Sequence, residues 1–286
     1  MTQIGVDEPG RSITVPGRDG TPVTLAWAAI TDTGLRRQQN QDSVLARPPY
    51  FVVADGMGGH AAGDVASDAV VRRLDERVTG EFAGPADLLG ALHDAAVDIA
   101  DYSRESALGT GTTVTGAVLT LSNDLPQWLV FNIGDSRVYA HLDGVLSQVT
   151  VDHSVVQQLV DAGTITKEQA ERHPDSNMIT RAVGFNEMPS PDYWVLPVVP
   201  GLRILVCSDG LTKEVRDEEI AMHLRSGGDA DATARTLVRR ALELGGRDNV
   251  TVIVLDVLHV LGEPGEPGGD GEADDGTGDT RPRPGA

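Results

Sequence analysis

Seven short apolar, β-branched runs, several bounded by an aspartate, set the strongest limit on how this 286-residue chain folds. They are VTLAWAAIT (23–31), FVVAD (51–55), TVTGAVLTL (113–121), QWLVFNIG (127–134), RVYAHL (137–142), RILVCSD (203–209) and VTVIVLDV (250–257). Runs of this kind predict strands, several of them buried on both faces. HLDGVL carries Asp143-Gly144, a two-residue hairpin turn that makes its neighbours antiparallel. Apolar residues at three- and four-residue spacing predict helices over 61–78, 85–106, 153–162 and 231–245. Two long helices follow the second run and another precedes the last, while the central runs follow one another through short turns. That is not the regular alternation of a doubly wound sheet. It predicts an α+β fold, with antiparallel sheets and helices layered outside them.

No Pro/Gly-rich linker and no repeat period interrupts the middle of the chain, so one domain is expected over 22–258. An N-terminal extension, 1–21, precedes it. The segment 259–286 is an acidic Gly/Pro-rich tail with almost nothing to bury, and is expected to be disordered. No apolar run approaches the roughly 18 residues of a membrane span, and the first residues lack the basic end and apolar core of a signal peptide. Cytoplasmic residence is the expectation. The single cysteine, Cys207, forms no internal disulfide and no zinc cluster, which suits a reducing compartment. A formal charge of −20 argues against a nucleic-acid surface and favours basic proteins, metal ions or both as partners.

The aspartates at strand ends raise the chemical question. FVVADG ends in Asp55-Gly56, RILVCSDG ends in Asp209-Gly210, and the last strand follows Asp248-Asn249. A fourth, Asp42, precedes another short apolar run. One such residue is ordinarily a turn former or a helix cap. Four around one core would repel one another unless cations lay between them. Oxygen ligands without neighbouring His or Cys select Mg²⁺ or Mn²⁺ over zinc or copper. Gly56 allows close backbone approach, so its carbonyl is a further candidate ligand. Paired ions suit hydrolysis of a phosphate ester, and such a site needs a fixed cation to grip the phosphate oxygens. Arg37, five residues before Asp42, is the candidate, although taken alone it also reads as an exposed loop charge.

The motifs TDTGLRRQQNQDS, VVADGMGGHAAGDVAS, GTGTTVTGAVL, FNIGDSRVYAHLDGVLSQVTVDHS, ITRAVG, LVCSDGLT and GGRDNVTVIV occur in that order. Over about 24–257 the chain thereby resembles the metal-dependent protein phosphatases (PPM, type 2C) in their bacterial form. The resemblance implies an α-β-β-α sandwich that removes phosphate from phosphoserine and phosphothreonine in proteins, using a metal-bound water and two Mn²⁺ or Mg²⁺ ions. It implies that Asp55 bridges both ions, that the Gly56 carbonyl serves one, and that Asp209 and Asp248 hold the other. Arg37 would bind the substrate phosphate and Asp42 would position the water. His60 is an ambiguous match to a general acid and reads first as a packing or hydrogen-bonding residue. Residues 150–184 match a mobile flap beside the cleft, and Asp135 in GDSR reads as a turn residue. Two departures stand out: Gln41 replaces the usual Glu, and Ser106 replaces an Asp that would serve a third ion. Weak or absent third-ion binding is therefore expected.

Rival readings are a cysteine phosphatase, a phosphoprotein-binding regulatory module of the same fold, and a relative devoted to sigma-factor regulators. The first needs a Cys-x₅-Arg loop, and from Cys207 that count lands on Lys213. Cys207 reads instead as a buried strand residue. The acidic set and Arg37 are intact, which favours turnover over mere binding, and the flap-like segment favours the group of enzymes opposing bacterial serine/threonine kinases; a monomer acting on phosphorylated proteins is expected.

Overall fold

Along the strand Tyr50–Gly58 (β5), Tyr50, Val52 and Ala54 face one way and Phe51 and Val53 the other, and all five are fully buried. A strand with two apolar faces must lie between two layers. The computed structural model, which describes residues 1–6, 11–16, 22–58, 62–106, 109–185 and 188–259, shows what those layers are. His60 and the tail beyond His259 lie outside the described residues.

The first sheet runs β1 (Gln3–Ile4), β4 (Asp42–Arg47), β5, β7 (Val114–Ser122), β8 (Leu125–Ile133) and β12 (Asp192–Pro197), with β6 (Thr110–Thr112) and β11 (Val183–Gly184) attached beyond β5. The second runs β10 (Val145–Gln148), β9 (Arg137–Leu142), β13 (Arg203–Cys207), β14 (Val250–His259), β3 (Pro22–Asp32) and β2 (Arg11–Pro16). Every pairing is antiparallel except β1 with β4. β9 and β10 flank the predicted Asp143-Gly144 turn, where Asp143 takes φ 52° and Gly144 φ 80°, the left-handed pair such a turn requires.

Between the sheets Phe51 stands edge-on to both Trp27 and Trp128, with centroids 5.3 and 5.8 Å apart. Val53, Leu119, Ile204, Val206, Ile253 and Leu255 complete this central layer. Each large side chain so buried contributes about 1.5–3 kcal/mol, and truncating Trp128 to Ala would cost about 3–5 kcal/mol. Tyr50, Val52 and Ala54 face α1 (Ala62–Glu76) and α2 (Pro85–Ser106). On the far side, Val250, Val252 and Val254 meet α5 (Asp209–Thr212), α6 (Asp217–Arg225) and α7 (Ala230–Leu244). The order is helix, sheet, sheet, helix, as expected.

α3 (Val155–Asp161) and α4 (Lys167–Ala170) stand apart from these layers and bury no residue fully. The Ser154 hydroxyl caps the first and Thr166 forms a capping box with Gln169 on the second. Near the start of the chain, β1 and β2 each extend an edge, one on either sheet, and Val15 of β2 joins the core between them.

Candidate metal centre and phosphate cleft

Asp42 opens β4 and lies directly opposite Asp55 of β5. Asp55 is not at a strand end, as its sequence context suggests, because β5 continues through Gly58 by changing partner. Tyr50 to Val53 pair with β7, whereas Gly56 to Gly58 pair with β6. Asp55 sits at the junction, its carbonyl accepting from Thr113 N–H and Thr112 Oγ1, both at 2.9 Å. Its backbone is thus satisfied while its side chain lines the cleft. Gly56 follows because nothing larger fits: a Cβ there would stand 2.0 Å from the Gly63 carbonyl oxygen and 2.7 Å from that of Gln41.

The second sheet delivers the other two carboxylates. Asp209 begins α5 immediately after β13, and Asp248 precedes β14, the neighbouring strand. The sheets are tied together here by Asp42, whose Oδ2 accepts from Ser208 Oγ at 2.9 Å and Thr251 Oγ1 at 2.6 Å. Asp42 itself is buried behind the cleft lining. Asn249 holds the loop between β3 and β4. Its amide donates to the Thr33 and Gln39 carbonyls, and its oxygen accepts from Gln41 N–H at 2.9 Å. That loop carries Arg37 to within 2.7 Å of Asp248. Gln41 lines the cleft, and its carbonyl accepts from Gly56 N–H and Ser67 Oγ.

Crowded carboxylates out of water resist ionisation. Burial, opposed only in part by its two hydroxyl donors, pushes Asp42 up to about 7. Burial, then the charges of Asp42 and Asp209, holds Asp55 well above the usual carboxylate range. Burial and Asp209 raise Asp135 to about 7. Two cations of the chain answer part of this charge: Lys213 Nζ is paired with Asp209 Oδ2, and Arg37 with Asp248. As the side chains stand, no three His, Cys, Asp or Glu groups among the described residues form a ready coordination cluster. Asp42 Oδ1 and Asp209 Oδ1 are nevertheless buried without a hydrogen-bond partner. An oxygen-only donor set, orphaned carboxylate oxygens and mutual repulsion together fit hard divalent ions.

A family model described as Protein phosphatase 2C matches residues 33–242. The chain belongs to the protein phosphatase 2C family. It is 44% identical over 243 residues to the serine/threonine protein phosphatase PstP of Mycobacterium tuberculosis, covering 82% of this chain and 46% of that protein, so it spans about half the length of that relative. It is 36% identical to the serine/threonine phosphatase stp of Listeria monocytogenes, covering 79% of this chain and 93% of that one. Among solved structures it resembles the catalytic domain of PstP in complex with two manganese ions, with TM-score 0.74 and 40% identity over 82% of this chain and 99% of that one.

In this protein phosphatase 2C chain the cleft has a volume of about 1020 Å³ and is walled on one side by α3 and α4. The segment bearing them is fixed at its base by buried His153, whose Nδ1 accepts from Gly134 N–H and whose Nε2 lies 3.1 Å from Asp192. Cys207 is fully buried, and burial pushes its thiol up to about 12, which leaves no nucleophilic sulfur at neutral pH.

Several contributors are not evident from sequence. Asp135, which reads as a turn residue, lines the cleft beside Asp209. Lys213 is reached only as the residue that fails to complete a Cys-x₅-Arg loop, yet it pairs with Asp209. Ser208, just past the end of β13, and Thr251, within β14, are small polar residues beside apolar runs, a signal that a buried acceptor needs donors.

Proposed function

We propose that this protein is a metal-dependent serine/threonine phosphatase that hydrolyses phosphoserine and phosphothreonine in proteins, with two Mn²⁺ or Mg²⁺ ions as its cofactor. The observation that carries the reading is the convergence of Asp55, Asp209 and Asp248 with Arg37 on one cleft. Asp55 would serve both ions, the Gly56 carbonyl one of them, and Asp209 with Asp248 the other. When bound, such a pair supplies a strong nucleophile at neutral pH and neutralises charge on the phosphoryl group.

The remaining work falls to the chain. Arg37 is half-exposed and meets Asp248 through Nη2 alone, so Nε and Nη1 are left to meet the phosphate oxygens of an arriving substrate. Asp42 acts from behind Asp55, its carboxylate fixed by Ser208 and Thr251 and its Oδ1 left as an acceptor for water. The half-open cleft between the metal loops and α3–α4 admits an extended peptide carrying the phosphoresidue. Opposition to serine/threonine kinases, action as a monomer and residence in the cytoplasm complete the reading.

The test is release of phosphate from phosphothreonine and phosphoserine peptides by the purified chain, with added Mn²⁺ or Mg²⁺ and after exhaustive chelation. Turnover is expected only with metal. Full turnover after chelation, or none at saturating metal, overturns the reading.

A further inference from the structure

We propose that Lys213 is a fixed cation of this centre, its ammonium occupying the place between Asp209 and Asp135 that an additional divalent ion would otherwise take. The proposal rests on the two-ion reading above.

The position is imposed by the backbone. Asp209 to Thr212 form one helical turn, and Lys213 N–H donates to the Asp209 carbonyl at 2.8 Å. Residues four apart on such a turn share a face, which brings the Lys213 side chain over the Asp209 carboxylate. The turn cannot drift. Next to it, the Glu214 side chain is 3% exposed and is gripped by Arg247 through Nε at 2.8 Å and Nη2 at 3.0 Å, and Val215 is buried.

The pairing divides the labour of one carboxylate. Asp209 Oδ2 is taken by Lys213, whereas buried Oδ1 has no partner and stays available to a metal. Lys213 and Asp135 both line the same cleft, and the charge of each bears on the other. Charge balance points the same way. Two divalent ions and one ammonium already match the five carboxylates Asp42, Asp55, Asp135, Asp209 and Asp248, and Arg37, paired with Asp248, adds a further positive charge. Another divalent ion would leave the centre with surplus positive charge before any phosphate arrives, and would have to displace an ammonium already in contact.

The experiment is equilibrium dialysis of the full chain against Mn²⁺, counting bound ions in wild type, Lys213→Met, Lys213→Gln and Lys213→Arg. Metal-free melting curves confirm that each variant is folded, and the Gln variant serves if Met is not. Wild type and Lys213→Arg are expected to bind two ions. The charge-removing variants are expected to bind a third. Two ions in a folded Lys213→Met or Lys213→Gln protein, or three in wild type, overturn the role of Lys213. No stoichiometric binding by wild type overturns the two-ion reading instead, so the two failures are distinct.

Discussion

Asp42 and Asp55 face each other across adjacent strands, and the charge of Asp42 raises the proton affinity of Asp55 on top of what burial does, while burial, Asp209 and Asp248 raise that of Asp42. A carboxyl whose folded value lies above its unfolded value stabilises the fold fully below the unfolded value, and that contribution is lost as pH rises through the folded one. For Asp42 the window runs from 3.8 to about 7. The metal-free protein is therefore expected to lose melting temperature as pH rises across that window. Asp42→Asn should flatten the slope and raise the metal-free melting temperature by about 3–6 °C, while lowering turnover. An unchanged slope by calorimetry in chelator would contradict the burial account.

Arg37 and Asp248 form an exposed pair, and exposed pairs contribute about 0–1 kcal/mol. Arg37→Ala should accordingly move the melting temperature by less than about 4 °C. If Arg37 grips phosphate, its loss should raise KM for a phosphothreonine peptide at least about tenfold, with Lys restoring only part because it lacks the bidentate fork. A KM that stays within twofold would leave Arg37 as a surface charge.

Asp209→Asn and Asp248→Asn are expected to lower turnover by more than about 100-fold, beyond the loss typical of residues that merely orient a ligand. Calorimetric Mn²⁺ titration of the same variants should show weakened binding of one ion. Wild-type affinity in both would mean that these two acids are structural.

Gln41 lies on the cleft wall with its backbone clamped by Asn249, Gly56 and Ser67, so a substitution there changes charge more than loop position. Gln41→Glu adds one negative charge to the cleft wall that would face the proposed ions, an attraction on the order of 1–4 kcal/mol before solvation offsets much of it. The midpoint of activation by Mn²⁺ should fall to lower concentration. A midpoint that holds or rises places Gln41 outside the metal's electrostatic reach.

His153 has the opposite sign to the carboxylates. Burial holds it below its ordinary 6.5, against the pull of Asp192, with Arg181 also disfavouring charge and Asp152 favouring it. Its neutral form contributes stability above 6.5 that is lost as pH falls through the folded value. Protonation at Nδ1 would also cost the bond from Gly134 N–H. Proteolysis within 155–180 should therefore accelerate between pH 7.5 and 5.5 in the wild type and show little pH dependence in His153→Asn.

The long elements are legible in the sequence because their patterns are complete. RVYAHL coincides with β9, and the predicted helix over 85–106 coincides with α2. Short elements carry too few residues for a pattern. α6 has only Ile220 and Leu224 fully buried, and β6 and β11 become strands through pairing with distant partners rather than by composition. The site is legible where chemistry is local, as at Asp55-Gly56, since only glycine fits the second position. It is opaque where contact depends on assembly. Nothing near Thr251 in sequence announces that its hydroxyl reaches Asp42, 209 positions away.

The place of β14 in the second sheet has a consequence for synthesis. It lies between β13 and β3, yet among the described residues it is the last strand in chain order, and its ten residues align with ten of β3 near their opposite end. Until it emerges, β3 and β13 have exposed apolar edges and no common partner. Such long-range closure is slow and leaves a growing chain open to association. The same residues bring Asp248 and Asn249, so the final seam of the sandwich and the last pieces of the acidic cleft arrive together. A nascent chain halted before residue 248 would hold Asp42 and Asp55 without the strand that brings them into a working site, and the folded domain and the competent cleft would come into being in a single late event.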